Sequence, residues 1–149
     1  MQKNLPITIQ GYEKLNNELN HLIRVERENL KKTISEARAL GDLKENGYYH
    51  ASKQRLTFLD SRIRRVDRLI KLGIIVESHG NTSIQIGNIV TITDGTNTYT
   101  YTVVGGYESD PKLKTISHIS PIGKALIGKK TGDVAEVISC TTADQHNRK

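Results

Sequence analysis

Apolar residues recur every three or four positions along two stretches of the chain's first half, the spacing that lines one face of an α-helix. The second stretch keeps these steps without a break, which is typical of a heptad seam. Its members are Tyr49, Ser52, Leu56, Leu59, Ile63, Val66 and Ile70, and those of the first are Tyr12, Leu15, Leu19, Leu22, Ile23, Leu30, Ile34, Ala37 and Leu40. We predict an antiparallel coiled-coil hairpin over residues 1–76. Its first helix, from near Ile9 to Leu40, would be roughly 48 Å long.

The break between the two helices is the segment 41–47, which reads Gly-Asp-Leu-Lys-Glu-Asn-Gly and carries two acids. Thr8 is placed to cap the first helix, and Gly41 is placed to end it. Asp42 and Glu45 have the spacing of a capping box, in which Asp42 bonds the Glu45 amide and Glu45 reaches back. Two nearby carboxylates also suit Mg²⁺, and they could complete a site half built in another protein. The residues alone leave both interpretations open.

After residue 76 the apolar period becomes two, which indicates β-strands. We assign 77–83 as a polar linker and 84–149 as a second, small domain with an antiparallel sheet. Its predicted strands are Ile89 to Thr93, Tyr99 to Val104, Lys114 to Ile119 and Asp133 to Ile138, the first two joined by an Asp94-Gly95 turn. Ser120 as a cap and Pro121 at the first helical position predict a short helix. The fold class is therefore α+β.

Charge is concentrated in the helical half. The chain of 149 residues has a net charge of +6, and most of the excess Lys and Arg lies before residue 78. A basic helix surface suits nucleic acid or an acidic protein partner. It is equally typical of a solvated face that keeps a coiled coil soluble. The charge pattern does not decide between these two interpretations.

Several protein classes are disfavoured by what the sequence lacks. There is no run of about 18 apolar residues, no apolar signal-peptide core, and a lone Cys140, so we expect a cytoplasmic protein without a membrane partner. No phosphate loop, nucleophile elbow or zinc signature is present. The five histidines have no ligand spacing, and only His50, one turn from the acidic segment, deserves functional consideration.

Two motifs stand out in the sequence. The first is Gly41-Asp42-Leu43-Lys44-Glu45-Asn46, followed by Tyr49-His50-Ala51, and the second runs from Ser120-Pro121-Ile122-Gly123 to Lys129. Together they resemble the signatures of the bacterial Gre transcript-cleavage factors. The resemblance covers about residues 6 to 138 in the same order and spacing. It implies a coiled coil followed by a domain of FKBP-like fold. It also implies a monomer that docks at the secondary channel of bacterial RNA polymerase. Such a protein is not itself an enzyme and has no small-molecule substrate.

The resemblance also implies roles for individual residues. Asp42 and Glu45 match tip acids that help hold the polymerase's second Mg²⁺ and position water, so that the polymerase cleaves its own backtracked RNA. Arg38 and Lys53 match basic positions thought to guide the 3′ end of that RNA. Ser120 and Pro121 match a segment of the docking surface on the polymerase rim, although Ile119 stands where many members have a polar or acidic residue.

Two departures from the family pattern bear on these expectations. Gly47-Tyr48 replaces an alanine and an acid of many relatives, which removes one tip acid and adds an aromatic ring. The polar tail 139–149 stands where relatives have a last strand, so we predict that this strand is missing or poorly formed. Cleavage stimulation is the first expectation. The alternatives are a paralogue that occupies the channel and inhibits, and a basic coiled coil that binds nucleic acid directly.

Overall fold

The computed structural model describes residues 4–77, 80 and 82–138, and it divides the chain into two compact units. One unit comprises Met1–Leu5 and Ile9–Ile74, and the other comprises Pro6–Thr8 and Ile75–Lys149. The predicted polar tail 139–149, with Cys140, lies outside the described residues. Residues 78, 79 and 81 of the predicted linker lie outside them as well. Among the described residues, no helix is long and apolar enough to cross a membrane.

We predicted one continuous α-helix for the first arm of the helical unit, and the structure corrects this prediction. It consists of α1 (Ile9–His21), a π-helical turn (Leu22–Glu26) and α2 (Arg27–Ala39). The apolar spacing explains the π turn, because Leu30 follows Leu15 by 15 positions, one more than two heptads. A π turn absorbs one extra residue, so the apolar positions on both sides of it can face the same partner helix.

The second arm is α3 (Gly47–Leu72), and its predicted seam is confirmed. Leu59 and Val66 are buried in a cluster with Leu22 of the first arm. Partly buried side chains extend this cluster along both arms: Leu15, Leu19, Leu30, Ile63 and Ile70. Exposed ion pairs flank the seam, such as Arg62 with Glu18 at 2.7 Å, and surface pairs of this kind add little stability. Apolar packing therefore holds the hairpin together.

The second unit contains the predicted β-hairpin. Strands β3 (Ile89–Thr93) and β4 (Thr98–Val104) pair antiparallel, from Ile89 opposite Thr102 to Thr93 opposite Thr98. The turn follows from its residues, since the Asp94 carboxylate accepts hydrogen bonds from the amides of Thr96 and Asn97, and Gly95 adopts φ +90°. The same amides lower the pKa of Asp94, because they stabilise its charged form.

The third strand corrects our prediction of an antiparallel sheet. Strand β5 (Thr115–Ser117) pairs parallel to β4, so the sheet order is β3-β4-β5 and the sheet is mixed. Parallel neighbours need a connection that returns the chain to the starting edge. Here the chain between β4 and β5 provides it, including a 3₁₀ turn (Pro111–Leu113) and Lys114 at φ +53°.

The predicted strand from Asp133 to Ile138 is absent; the structure describes these residues as irregular. Val134 and Ile138 are largely exposed, and Ala135 is the member of this run that packs against the core. An alternating pattern forms a strand only where a sheet edge accepts it. The α+β class is confirmed, whereas the FKBP-like assignment stays a prediction.

Helix α4 (Pro121–Leu126) confirms the predicted cap, because the Ser120 hydroxyl accepts a hydrogen bond from the Gly123 amide at 3.0 Å. Leu126 packs into the core of the second unit with Ile86, Val90 and Val103. Two short strands that the sequence did not predict, β1 (Leu5–Ile7) and β2 (Gly73–Ile75), form a separate two-stranded sheet. Next to β1, the Thr8 hydroxyl donates a hydrogen bond to the Glu108 carboxylate at 2.8 Å.

Candidate functional site

The turn between α2 and α3 begins with two consecutive left-handed residues. The amide of Gly41 donates to the carbonyl of Arg38 at 3.2 Å, and Gly41 adopts φ +77°, as predicted for a glycine that ends a helix. Asp42 follows at φ +37°. This region is unfavourable for residues with a side chain, although aspartate tolerates it better than most. The chain therefore leaves the helical conformation through Gly41 and Asp42.

The helix cap at this turn is Asn46, which corrects the capping-box interpretation. The main-chain carbonyl of Asp42, not its carboxylate, accepts from the amides of Glu45 and Asn46, at 3.1 and 3.0 Å. The Asn46 side-chain oxygen then accepts from the Tyr49 amide at 3.0 Å, which caps α3. Neither acid is needed to begin this helix.

The carboxylates of Asp42 and Glu45 are consequently available to an outside partner. Both residues are exposed, and within the part of the chain that the structure describes neither side chain has a hydrogen bond or an ion pair. Unpaired carboxylates in water suit a hard cation that keeps most of its water ligands. No group of three or more Asp, Glu, His and Cys in the described residues could hold a metal. The donor set therefore fits a shared site better than a self-contained one.

The two predicted RNA-contacting cations lie close together on one aromatic ring. The Arg38 guanidinium carbon is 6.0 Å from the centroid of the Tyr49 ring, and the Lys53 ammonium is 5.5 Å from it. Tyr49 is 8% exposed, whereas both cations are exposed. A buried ring that holds two cations in place favours a fixed basic surface beside the turn.

The same cations change the acidity of the Tyr49 phenol. The Arg38 guanidinium, as a hydrogen-bond donor to the phenolate, is the largest cause of a lowered Tyr49 pKa, and the charge of Lys53 adds to it. Burial of the ring acts in the opposite direction. The net direction shows that the two positive charges dominate the surroundings of this hydroxyl.

Sequence reasoning missed the parts played by Asn46 and Tyr49 in this site. The sequence pattern places Tyr49 in the seam and in the first motif, and it places Asn46 in the motif alone. The signal for Asn46 was present, because asparagine immediately before a helix is a preferred cap. Two neighbours complete the turn: His50, whose Nε2 is 3.1 Å from the Lys44 carbonyl oxygen, and the half-exposed Tyr48.

Ser120 and Pro121 belong to the other compact unit and are described by themselves. The Ser120 hydroxyl donates to the Ser117 carbonyl at 2.7 Å while it caps α4, so its visible role is structural. Pro121 is exposed, and the flanking Ile119 and Ile122 are 55% and 36% exposed. The start of α4 therefore presents apolar surface to solvent.

Comparisons with known proteins agree over most of the chain. Residues 5–72 match the family model for the transcription elongation factor N-terminal domain, and residues 79–146 match that for the GreA/GreB C-terminal domain. Transcription elongation factor GreA of Macrococcus caseolyticus (strain JCSC5402) is 41% identical over 140 residues, 92% of this chain and 89% of that protein. GreA of Rickettsia bellii (strain RML369-C) is 42% identical over 143 residues, 93% and 88% of the two chains.

Solved structures of related proteins also match. The crystal structure of the GreA factor homolog 1 protein of Thermus thermophilus is 26% identical, with a TM-score of 0.47, and the match covers 92% of this chain and 91% of that one. The family assignment rests on the sequence matches, which span both units at about 40% identity. The chain therefore belongs to the GreA/GreB family of transcription elongation factors.

Proposed function

We propose that this protein stimulates the RNA-cleavage activity of bacterial RNA polymerase by inserting its helical hairpin into the secondary channel of a backtracked complex. The observation that supports the proposal most strongly lies at the turn of the hairpin, where the carboxylates of Asp42 and Glu45 are exposed and have no partner among the residues that the structure describes. In this role the chain is not itself an enzyme. The polymerase breaks the phosphodiester bond, and the factor supplies groups that the polymerase lacks.

Asp42 and Glu45 would share a Mg²⁺ ion with the polymerase. Bound there, the ion would acidify water and stabilise the charge that develops on the scissile phosphate. The two carboxylates would orient the attacking water by accepting its hydrogen bonds. Exposure matters here, because a carboxylate that already neutralised a lysine or capped a helix would lose that contact on binding the ion.

Arg38 and Lys53 would contact phosphates near the 3′ end of the extruded RNA. Their support is geometric, since both cations are exposed and lie over the same buried ring. Cations held in place lose less conformational freedom when they meet a phosphate than free side chains do. Each phosphate contact would make binding weaker as salt is raised.

Ser120 and Pro121 would belong to the surface that docks on the polymerase. The exposed apolar side chains next to them, Ile119 and Ile122, suit such a contact because large exposed apolar groups beside a polar rim mark interaction sites. The proposed setting is a cytoplasmic monomer with an FKBP-like second domain. Its partners are the polymerase and backtracked RNA.

The test is RNA cleavage in purified backtracked elongation complexes with Mg²⁺. We expect Asp42→Asn and Glu45→Gln each to reduce stimulated cleavage by about 100-fold or more, since each removes a ligand charge from the site. Glu13→Gln is the matched control, because Glu13 is also exposed and has no ion pair among the described residues. It should behave as the unaltered protein.

Other outcomes would identify the alternatives. Inhibition of elongation without cleavage would point to a channel-occupying inhibitor. Tight binding to free nucleic acid without affinity for polymerase would point to a nucleic-acid-binding module. Equal cleavage by the unaltered protein and both tip variants would overturn the assignment of Asp42 and Glu45 as metal ligands.

A further inference from the structure

We propose that Asn46 is a positioning residue that locks the turn of the hairpin into the shape that presents Asp42 and Glu45 together. The proposal rests on the function proposed above, because it concerns how those two carboxylates are held. Asn46 does not need to touch the metal or the RNA for this role. It acts through the main chain on both sides of the acids.

The contacts of Asn46 connect the two helices across the turn. Its side-chain nitrogen donates to the carbonyl of Ala37 in α2 at 2.7 Å and lies 3.5 Å from the carbonyl of Gly41. Its side-chain oxygen accepts from the Tyr49 amide in α3, and its own amide donates to the carbonyl of Asp42. One side chain therefore closes the turn from both ends.

The backbone between Ala37 and Asn46 includes an unfavourable conformation that needs contacts to hold it. Gly41 and Asp42 both have positive φ, a conformation that disfavours a residue with a side chain such as Asp42. A conformation of this kind persists only when surrounding contacts hold it. The bond from the Asn46 side-chain nitrogen to the Ala37 carbonyl spans the strained pair. Without it the turn would relax, and the two carboxylates would separate.

A helix cap alone would not need an asparagine. Capping uses only an acceptor oxygen, which serine, threonine or aspartate also provides. The short amide side chain adds a donor, and that donor makes the bond to the Ala37 carbonyl. Asn46→Ser therefore separates the two roles, because its shorter side chain keeps a capping oxygen and lacks the amide group that donates to the Ala37 carbonyl. Asn46→Ala removes both.

The first measurement is amide hydrogen exchange in the free protein. In the unaltered chain the amides of Glu45, Asn46 and Tyr49 should be protected, because all three are hydrogen-bonded. In Asn46→Ser we expect amide exchange at Glu45 and at position 46 to rise about tenfold, the effect of losing the one hydrogen bond to the Ala37 carbonyl. Tyr49 should stay protected there and lose protection in Asn46→Ala. Unchanged exchange at Glu45 and at position 46 in Asn46→Ser would overturn the claim that the Asn46 side chain closes the turn.

The second measurement is the Mg²⁺ dependence of stimulated cleavage. Asn46→Ser should need about five- to tenfold more Mg²⁺ for half-maximal cleavage, while its affinity for the polymerase stays unchanged. Ile63→Val is the control, since it weakens the seam of the hairpin away from the turn and should leave the Mg²⁺ requirement unaltered. An unaltered Mg²⁺ requirement in Asn46→Ser would leave Asn46 as a cap only and would overturn the positioning role.

The two measurements keep this proposal separate from the proposed function. If the unaltered protein fails to stimulate cleavage, the function is wrong, and the exchange measurement still decides whether Asn46 closes the turn. If the unaltered protein is active and Asn46→Ser is indistinguishable from it in both measurements, the function stands and the positioning role is wrong.

Discussion

Tyr49 combines two tasks at the scale of single residues. Its ring fills a seam position of the hairpin, and the two cations Arg38 and Lys53 lie against that ring. Each cation over an aromatic face is stabilised by about 0.5–1 kcal/mol when exposed. Tyr49 therefore links the packing of the coiled coil to the position of the two cations beside Asp42 and Glu45. A substitution that fills the seam without an aromatic ring should affect the cations alone.

Tyr49→Leu should reduce cleavage stimulation several-fold, because leucine fills the seam but gives the two cations no aromatic face. The Mg²⁺ requirement should stay unaltered, since Asp42 and Glu45 are untouched. Tyr49→Phe is the control, and it should retain most of the stimulation because it keeps the ring. Rates measured at several salt concentrations check the prediction. Equal rates for the leucine and phenylalanine variants would show that the ring does not organise the cations.

Arg38→Gln should raise the pKa of the Tyr49 hydroxyl toward its ordinary value of 10.0, because the guanidinium is the largest cause of its lowering. The sign follows from charge: a nearby cation stabilises the phenolate, so removing the cation favours the protonated phenol. Ultraviolet titration in a background with the other tyrosines replaced by phenylalanine measures it. Arg55→Gln, an exposed cation further along α3, should leave this pKa unchanged.

Elements of the fold were predictable where local chemistry decides them. Gly41 ended α2, Ser120 capped α4 and Asp94-Gly95 formed a turn, since each depends on one residue's own hydrogen bonds or φ angle. The direction of β5 was not predictable, because alternation shows that a strand exists without showing which neighbour it meets. The strand predicted from Asp133 to Ile138 was wrong for the same reason, because alternation does not show whether a neighbouring strand is there to pair with it.

The site was predictable in composition but not in detail. Asp42 and Glu45 could be singled out by their spacing, yet their spacing equally fitted a cap. Their availability depends on Asn46 capping the helix instead, and on Asp42 taking a left-handed conformation. A backbone conformation that local propensity disfavours is set by contacts across the turn, which the linear sequence does not display.

The π turn gives a prediction at the scale of an element. Deleting Val25, an exposed residue of this turn, would leave Leu15 and Leu30 two heptads apart, so the first arm should become continuous α-helix. We expect the thermal stability of the hairpin to be kept or raised. Deleting the exposed Lys32 instead would shift Ile34 and Ala37 out of the seam and should cost about 2–5 kcal/mol. Thermal unfolding followed by circular dichroism compares the two deletions.

Equal destabilisation by both deletions would show that the π turn does not act as a register correction. In that case the turn would have to be explained by its own contacts, such as the nearby ion pair of Arg27 with Asp60 at 2.9 Å. The comparison is informative because both deletions remove one exposed residue from the same arm.

At the scale of the whole molecule, the proposed function assigns different tasks to the two units. The hairpin would act on the rate of cleavage, and the second unit would act on affinity for the polymerase. Such a division has a kinetic signature, because a change in affinity alters the factor concentration needed for half-maximal cleavage, whereas a change in chemistry alters the maximal rate. Substitutions in each unit should therefore separate these two quantities.

Ile119→Ser should raise the concentration of factor needed for half-maximal cleavage about five- to tenfold, since burying the 55% of the isoleucine residue that is exposed contributes about 1–1.5 kcal/mol. The maximal rate at saturating factor should stay unaltered. The fold should tolerate the change, because Ile119 is more than half exposed. Titration of the factor against backtracked complexes measures both quantities in one experiment.

Val134→Ser is the matched control for this prediction, because Val134 is a still more exposed apolar residue of the same unit and is not part of the proposed docking surface. It should leave both quantities unaltered. Asp42→Asn should show the opposite pattern from Ile119→Ser, with a lower maximal rate at an unaltered half-maximal concentration. If Ile119→Ser and Val134→Ser behave alike, the start of α4 does not dock. A lowered maximal rate in Ile119→Ser would contradict the division itself, since a docking residue would then influence the chemistry.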